Sequence, residues 1–425
     1  MELIIAYLAT VIAGKILLLA DPKYKDELEN IINEYEVTIV IGDSDLELKM
    51  KNLTASINEP NSDRTFINIS TVADREEFGL LDEEHNLHKI PDTDSKSPSV
   101  IIFSSGSEGI PKGIMNSQYT LMEACKNYVR TCNITKNDRF LGVTPFFHSY
   151  CMGSCMLAGV YSGAYIYTMK SFVPGKILKA IENYKITIFQ GVSFMYELLI
   201  KNNSASNLSL LRLCISAGGR LTKDLIDRIH AETGVWIINE YGSSETGTIA
   251  INYPSINHYI TGNILKGVDI KLIEIDDKGV GRLRVKSKGL SLGYWKKERK
   301  DEEYYTTDDL VEIVGNNKIN ICGRCNNMVS ISGMKVDIKE VEKLILEHPK
   351  VQDCLVKKRE DAIYGECIEA VIVSKDKELT ESNVREFCAE HLAKYKVPSY
   401  ITFVHEIRTS ALGKKLYRQK EIANG

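Results

Sequence analysis

Apolar positions along most of this chain fall into short continuous runs, separated by stretches in which apolar side chains return every three or four residues. Continuous runs bounded by turn residues predict buried strands, and the longer return predicts helices packed on them. Residues 3–20 read as a helix and then a buried strand, ending at Asp21-Pro22. Glu2 and Lys15 interrupt what would otherwise imitate an export signal or a span of about 18 unbroken apolar residues. Leu28, Ile31, Ile32 and Tyr35 share a helix face and lead into a strand at 37–41, giving a β-α-β unit. Residues 43–98 are rich in Asp, Asn, Ser and Glu and predict an irregular connection. Beyond them, strands at 100–103, 140–143, 164–168, 186–190, 211–216 and 236–238 alternate with helices near 118–130, 152–161, 174–183, 193–201 and 222–232. Such alternation predicts an α/β fold, a mostly parallel sheet with helices on both faces.

The period changes near residue 268. Residues 268–275, the turn Asp276-Asp277-Lys278-Gly279 and residues 282–285 predict an antiparallel hairpin in a small β-rich subdomain at about 262–322. Strands at 351–358, 368–374 and 400–404, with helices at 337–347 and 380–393, predict a compact α+β module. The expected organisation is a large N-terminal domain, 1–322, and a small C-terminal domain, 323–425, which a family resemblance carried by later segments implies to be a mobile lid.

Composition narrows the function. A chain of 425 residues suffices for two cores. The net charge of −4, with both signs dispersed and no basic tract, argues against a nucleic-acid partner. Ten cysteines without a regular framework suit a reduced, cytoplasmic protein. Cys322 and Cys325 form one C-x-x-C, but no second pair stands at ribbon spacing, which argues against zinc.

The chemistry centres on residues 100–113, where the run Val100-Ile101-Ile102-Phe103 stops abruptly at Ser104-Ser105-Gly106-Ser107-Glu108-Gly109. Gly106, Gly109 and Gly113 let backbone approach an anion, three serines offer hydroxyls, and Lys112 offers a point charge. No Gly-Lys-Ser/Thr opens a helix and the glycine spacing is not that of a dinucleotide fold. Taken alone, the stretch reads equally as a phosphate loop or a solvated linker. It resembles the signature loop of the adenylate-forming superfamily, which includes acyl-CoA synthetases, amino-acid adenylation domains and luciferases.

Further segments match that family in order. Pro145-Phe146-Phe147-His148-Ser149 follows a strand; alone, His148 reads more readily as a structural histidine, but the block resembles P-x-F-H, whose histidine borders the acyl pocket. Ser149 stands where amino-acid-activating members usually carry an aspartate for the substrate ammonium. The segment 190–196, with Val192 and Ser193, resembles the helix that lines the acyl pocket. Gly218 and Gly219 lie in a turn similar to the adenine-side loop. Tyr241-Gly242-Ser243-Ser244-Glu245 looks like Y-G-x-T-E, and in such a block an aromatic ring stacks on adenine, a hydroxyl bonds the α-phosphate and a carboxylate holds Mg²⁺. Asp309 matches the aspartate that takes the ribose hydroxyls, with Asp308 in place of a glycine. Arg324 and Asn326 match the hinge block, Gly333 the pantetheine tunnel, and Lys414, after Gly413, the catalytic lysine.

The resemblance, from about residue 4 to the C-terminus, implies an acyl-CoA ligase that uses ATP, Mg²⁺ and coenzyme A on a small carboxylic acid, a fatty or other uncharged-tail acid being expected. Loading of an acyl carrier protein, or a degenerate member that binds nucleotide without turnover, are the alternatives. Two departures bear on activity. Glu108 replaces a threonine, and a carboxylate about 4 Å from a phosphate oxygen costs about 1 kcal/mol in water and about 4 kcal/mol at an effective dielectric near 20. The chain also begins where relatives are well into their first subdomain, so a shortened protein is expected, with a homodimer contact as one way to cover the exposed sheet face.

Overall fold

Strand side chains point alternately to opposite faces, so a strand covered on both sides is apolar along its length. In the computed structural model the two central parallel strands, Ile188–Gly191 and Leu213–Ser216, are buried along their whole length; Arg139–Gly142 and Ile238–Ser243 flank them, and Tyr165–Thr168 lies beside Arg139–Gly142. The structure describes residues 2–20, 27–42, 65–68, 91–103, 112–201, 205–219, 221–254, 257–298, 303–331, 334–361, 365–409 and 415–416. The chain forms two compact units, residues 1–269 with 286–305, and residues 270–285 with 306–425.

In the first unit Phe140, Ile188, Leu213, Ile215 and Ile238 pack with residues of the helices Gln118–Thr131 and 149–162. Leu141, Phe189 and Cys214 face the other way, against the helices Pro174–Asn183, Ser193–Ile200 and Lys223–Thr233. Each fully buried large side chain contributes about 1.5–3 kcal/mol. Local signals set the helix ends. Ser117 and Thr120 form a capping box at the start of Gln118–Thr131, and Thr222 caps Lys223–Thr233, which ends at Gly234 with φ +73°.

The amino-terminal rim of the sheet is clamped by Asp138. Its carboxylate accepts from Arg212 Nε at 2.6 Å and Nη2 at 2.8 Å, from the Thr187 hydroxyl at 2.9 Å and from the Thr135 amide at 2.9 Å. Burial pushes this carboxyl up, but the Arg212, Thr135 and Thr187 hydrogen bonds outweigh it and hold the group below its ordinary value.

Several elements differ from expectation. The strand Pro98–Phe103 is parallel to Leu17–Leu19 but returns at once, antiparallel, as Gly113–Ser117, in a sheet separate from the parallel one. The return strand carries buried Asn116 and Ser117, residue types depleted in strands, so its pattern gives no signal. Within the connection expected to be irregular, Thr65–Asn68 pairs in parallel with Ile39–Gly42. The helix after His148 begins at Ser149 and passes through a π-helical turn, Met152–Leu157.

In the second unit, Tyr305–Ile313 and Lys318–Arg324 are antiparallel, with Val280–Ser287 as the next strand outward from Tyr305–Ile313. The strands Val351–Asp361 and Gly365–Ser374 are antiparallel, Tyr400–Phe403 adds in parallel, and the helices Ile338–Glu347 and Glu381–His391 contribute Val341, Ile345, Val384 and Cys388 to a shared core. The expected α/β fold class, with a small α+β region towards the C-terminus, is the one observed.

Candidate active site

Parallel strands end at one rim, so the turns that follow them converge there. His148 and Ser149 follow Arg139–Gly142, Val192 and Ser193 follow Ile188–Gly191, Gly218 and Gly219 follow Leu213–Ser216, and Ser244 and Glu245 follow Ile238–Ser243. Hydrogen bonds tie these turns together. The Ser149 and Ser244 hydroxyls are 2.8 Å apart, and the Tyr150 hydroxyl donates to the Gly191 carbonyl at 3.4 Å. Ser193 Oγ lies 3.3 Å from Ser216 Oγ, and the Ala217 amide donates to the Gly191 carbonyl at 3.3 Å. The acyl-pocket and adenine-side segments singled out in the sequence are thus neighbours in space. The His148 ring packs against Phe147, with centroids 4.6 Å apart.

Two glycines owe their identity to backbone geometry. Gly218 has φ +73°, a left-handed conformation that other residues resist, while a Cβ there would meet only Val192 at 3.8 Å. At Gly242 a Cβ would sit 2.2 Å from the Gly247 carbonyl oxygen, because the strand Gly247–Ile251 closes on Ile238–Ser243 across a register shift. Strand pairing alone therefore requires glycine at position 242.

Glu245 is held from a distant segment. The Tyr294 hydroxyl donates to Glu245 Oε1 at 2.9 Å, and the Glu245 carbonyl accepts from the Ser291 amide at 2.8 Å. Burial, the Tyr305 hydroxyl and the charge of Glu245 push the Tyr294 phenol far up, which keeps it a donor. Tyr294 was not singled out in the sequence; its place in Gly293-Tyr294-Trp295, at the end of an apolar run, was the available signal.

In the second unit Asp309 and Arg324 are paired across their strands, with Arg324 Nε 2.8 Å from the Asp309 carboxylate. The two residues expected to bind nucleotide thus bind one another. Asp308, which departs from the family glycine, is engaged by Arg282 at 2.8 Å. Asn326 lies in the short turn Cys325–Asn327. Lys112 is exposed where the strand Gly113–Ser117 begins, and the Gly113 amide donates to the Tyr35 hydroxyl at 2.8 Å, so it is engaged by a side chain rather than set toward an anion. Ser104, Ser105, Gly106, Ser107, Glu108, Gly109, Gly333 and Lys414 lie outside the described residues.

A buried polar pair joins Glu240, which went unnoticed in the sequence, to Gln190, noted there only as the start of the segment 190–196. Glu240 and Gln190 are buried behind the rim, at 5% and 1% exposure. Burial pushes the Glu240 carboxyl up to about 7, against a partial pull downward from the Thr248 and Tyr128 hydroxyls. Among the described residues no cluster of three or more His, Cys, Asp or Glu is placed to hold a metal ion, and no helix is long and apolar enough to cross a membrane.

Comparison with known proteins agrees with this layout. Residues 1–295 match the model of the AMP-binding enzyme family, and residues 340–414 that of the AMP-binding enzyme C-terminal domain. Over 335 residues the chain is 29% identical to naringenin synthase of Pestalotiopsis fici, covering 73% of this chain and 12% of that protein. It is 26% identical to 4-coumarate–CoA ligase 2 of Oryza sativa subsp. japonica, covering 76% of this chain and 61% of that one. With a long-chain-fatty-acid–CoA ligase of Escherichia coli O6:H1 it shares 27% identity, over 75% of this chain and 60% of the relative. The match thus spans less than two thirds of each of these relatives. ATP-bound MatB from Rhodopseudomonas palustris superposes with a TM-score of 0.80 at 24% identity, over 97% of this chain and 84% of that one. The o-succinylbenzoate CoA synthetase MenE from Bacillus subtilis gives 0.80 at 20% identity, over 99% and 86%. At these identities the structural likeness is one of fold.

Proposed function

Because the chain belongs to the AMP-binding enzyme family, we propose that it is an acyl-CoA ligase, which joins a carboxylic acid to the α-phosphate of ATP and passes the acyl group to the thiol of coenzyme A. The products are pyrophosphate, AMP and acyl-CoA. The observation that carries this reading is the convergence at one sheet rim of Ser149, Ser244 and a Glu245 carboxylate oriented by Tyr294.

The barrier to the first half-reaction is electrostatic, since an anionic carboxylate must approach an anionic phosphate. Ser244 offers a hydroxyl to the α-phosphate, and Ser149 fixes where that hydroxyl points. Tyr241, Gly218 and Gly219 form the adenine side, Asp309 takes the ribose hydroxyls, and Arg324 orients Asp309. Ser104, Ser105, Gly106, Ser107, Gly109 and Lys112 cradle the outer phosphates. Glu245 would hold Mg²⁺, a hard cation for which one or two carboxylate ligands suffice beside a bound nucleotide. When bound, Mg²⁺ neutralises charge on the phosphate oxygens. Lys414 adds a second positive charge, and a pivot at Asn326, between domains 1–322 and 323–425, withdraws it so that the thiol enters beside Gly333.

The relatives' names span 4-coumarate, malonate and long-chain fatty acids, so a fatty acid is one option among several. Glu108 favours a second reading, nucleotide binding without turnover. Carboxylate-dependent exchange of labelled pyrophosphate into ATP separates the two: exchange supports the ligase, and none across a broad acid panel with folded protein, in both the native chain and Glu108→Thr, would sink it.

A further inference from the structure

The strand Pro98–Phe103 leads into the segment assigned to the outer phosphates and Gly113–Ser117 leads out of it, with Phe103 and Gly113 paired across the two strands. Tyr35, the residue after the helix Glu27–Glu34, touches both. Its ring meets the Phe103 ring edge-on, with centroids 5.2 Å apart, and its hydroxyl accepts from the Gly113 amide at 2.8 Å. Trp295 completes the cluster. Its ring stacks on Tyr35, with centroids 5.5 Å apart, and its indole donates to the Glu34 carbonyl at 3.3 Å. The Trp295 amide donates to the Gly113 carbonyl at 2.8 Å, so both backbone polar groups of Gly113 are engaged here.

The fit is close enough to dictate the residue at position 113. A Cβ there would lie 2.5 Å from Tyr35 Cε1, 2.6 Å from the Tyr35 hydroxyl oxygen and 2.8 Å from Ile101 Cγ2. A side chain at 113 and the phenol at 35 therefore exclude one another. Gly113 is buried, and a buried amide needs an acceptor. A neighbouring strand commonly supplies one; here it is a side chain, placed where the segment rejoins its sheet. Tyr35 is only 7% exposed, and it packs in one core with Phe103, Met115 and Trp295, so it cannot step aside without unpacking them.

We propose that Tyr35 is a positioning residue for the outer phosphates of ATP, holding Phe103 and Gly113 and, through them, the two points between which residues 104–112 run. The inference rests on the ligase reading for what those residues bind; 104–111 lie outside the described residues. Tyr35 touches the two ends of the segment and is given no contact with nucleotide. In that reading adenine, ribose and the α-phosphate fall to Tyr241, Asp309 and Ser244 on other elements. A fault at Tyr35 therefore weakens ATP and spares AMP, which lacks the outer phosphates.

The test is calorimetric binding of an α,β-methylene ATP analogue and of AMP, each with Mg²⁺, to the full chain. Tyr35→Phe keeps the ring and its two aromatic contacts and removes only the hydroxyl. It is expected to weaken the ATP analogue about 3- to 10-fold and AMP by less than about twofold. A hydroxyl with a merely structural role would weaken both alike or neither. Gly113→Ala approaches the same contact from its other side. In that background Tyr35→Phe should alter the affinity for the ATP analogue by less than about twofold, because the methyl group has already displaced the hydroxyl. An unchanged affinity for the ATP analogue in Tyr35→Phe overturns the proposal, as does an equal loss for both nucleotides or binding of neither by the native chain. Pyrophosphate exchange by the native chain reports on the ligase reading separately. Selective loss of the ATP analogue without exchange would sink that reading alone, and exchange with an equal loss would sink only this one.

Discussion

The Tyr294 hydroxyl donates a 2.9 Å hydrogen bond to Glu245 Oε1, joining the short strand Gly293–Tyr294 to a turn 49 residues earlier in the chain. A hydrogen bond to a charged group contributes about 1.5–3 kcal/mol. Tyr294→Phe is therefore expected to slow pyrophosphate exchange about 10- to 100-fold, to raise the Mg²⁺ concentration needed for half-maximal rate, and to lower stability by no more than about 3 kcal/mol. An unaltered Mg²⁺ dependence would remove Tyr294 from the site.

Asp309 accepts from Arg324 at 2.8 Å and is largely buried. If its carboxylate also takes the ribose hydroxyls, Asp309→Ala raises the KM for ATP about 10- to 100-fold, with a smaller effect on kcat. Arg324→Lys gives a milder rise, because a lysine keeps the charge without the planar fork. Steady-state kinetics with ATP varied at saturating acid decide the point, and an unchanged KM for Asp309→Ala would rule the role out.

Glu240 predicts how stability depends on pH. Its carboxyl titrates near 4.5 when unfolded and at about 7 in the folded chain, where burial disfavours the charge. Between these values the native state holds a proton that the unfolded state has released. Stability therefore falls as pH rises from about 4.5 to 7 and levels off above, by at most roughly 3 kcal/mol. The titratable groups around it, Tyr128, Tyr150, Cys132 and Cys151, are all pushed upward by burial and stay neutral across that window. In denaturant titrations at several pH values Glu240→Gln should flatten the decline; an identical slope in both proteins would refute the assignment.

Gly242→Ala separates a structural glycine from a ligand-contacting one. A methyl group 2.2 Å from the Gly247 carbonyl oxygen forces the two strands apart. A cost of about 2–3 kcal/mol is expected, read as a lower melting temperature with and without ATP. A stability unchanged alongside a raised KM for ATP would show that the glycine serves the nucleotide instead.

Much of this layout was legible beforehand for a physical reason. A strand covered on both faces must be apolar throughout, and the helix that follows must return every three or four residues, so 139–142, 188–191 and 213–216 announced themselves together with the rim turns after them. Gly113–Ser117 did not, because buried Asn116 and Ser117 hide a strand whose existence depends on its partners Pro98–Phe103 and Gly293–Tyr294. Thr65–Asn68 was missed for the same cause, pairing with Ile39–Gly42 across a long polar stretch.

The order of segments at the sheet rim, and the presence there of Ser149, Gly218, Ser244 and Glu245, were determined by the sequence alone, because local periodicity dictates where each strand stops. Tertiary structure alone decided which groups those residues face. Tyr294 meets Glu245, Arg324 meets Asp309, and Gln190 and Glu240 are enclosed beside the Tyr128 hydroxyl. Hydrogen bonding and desolvation depend on neighbours brought together by folding, and spacing along the chain carries no record of them.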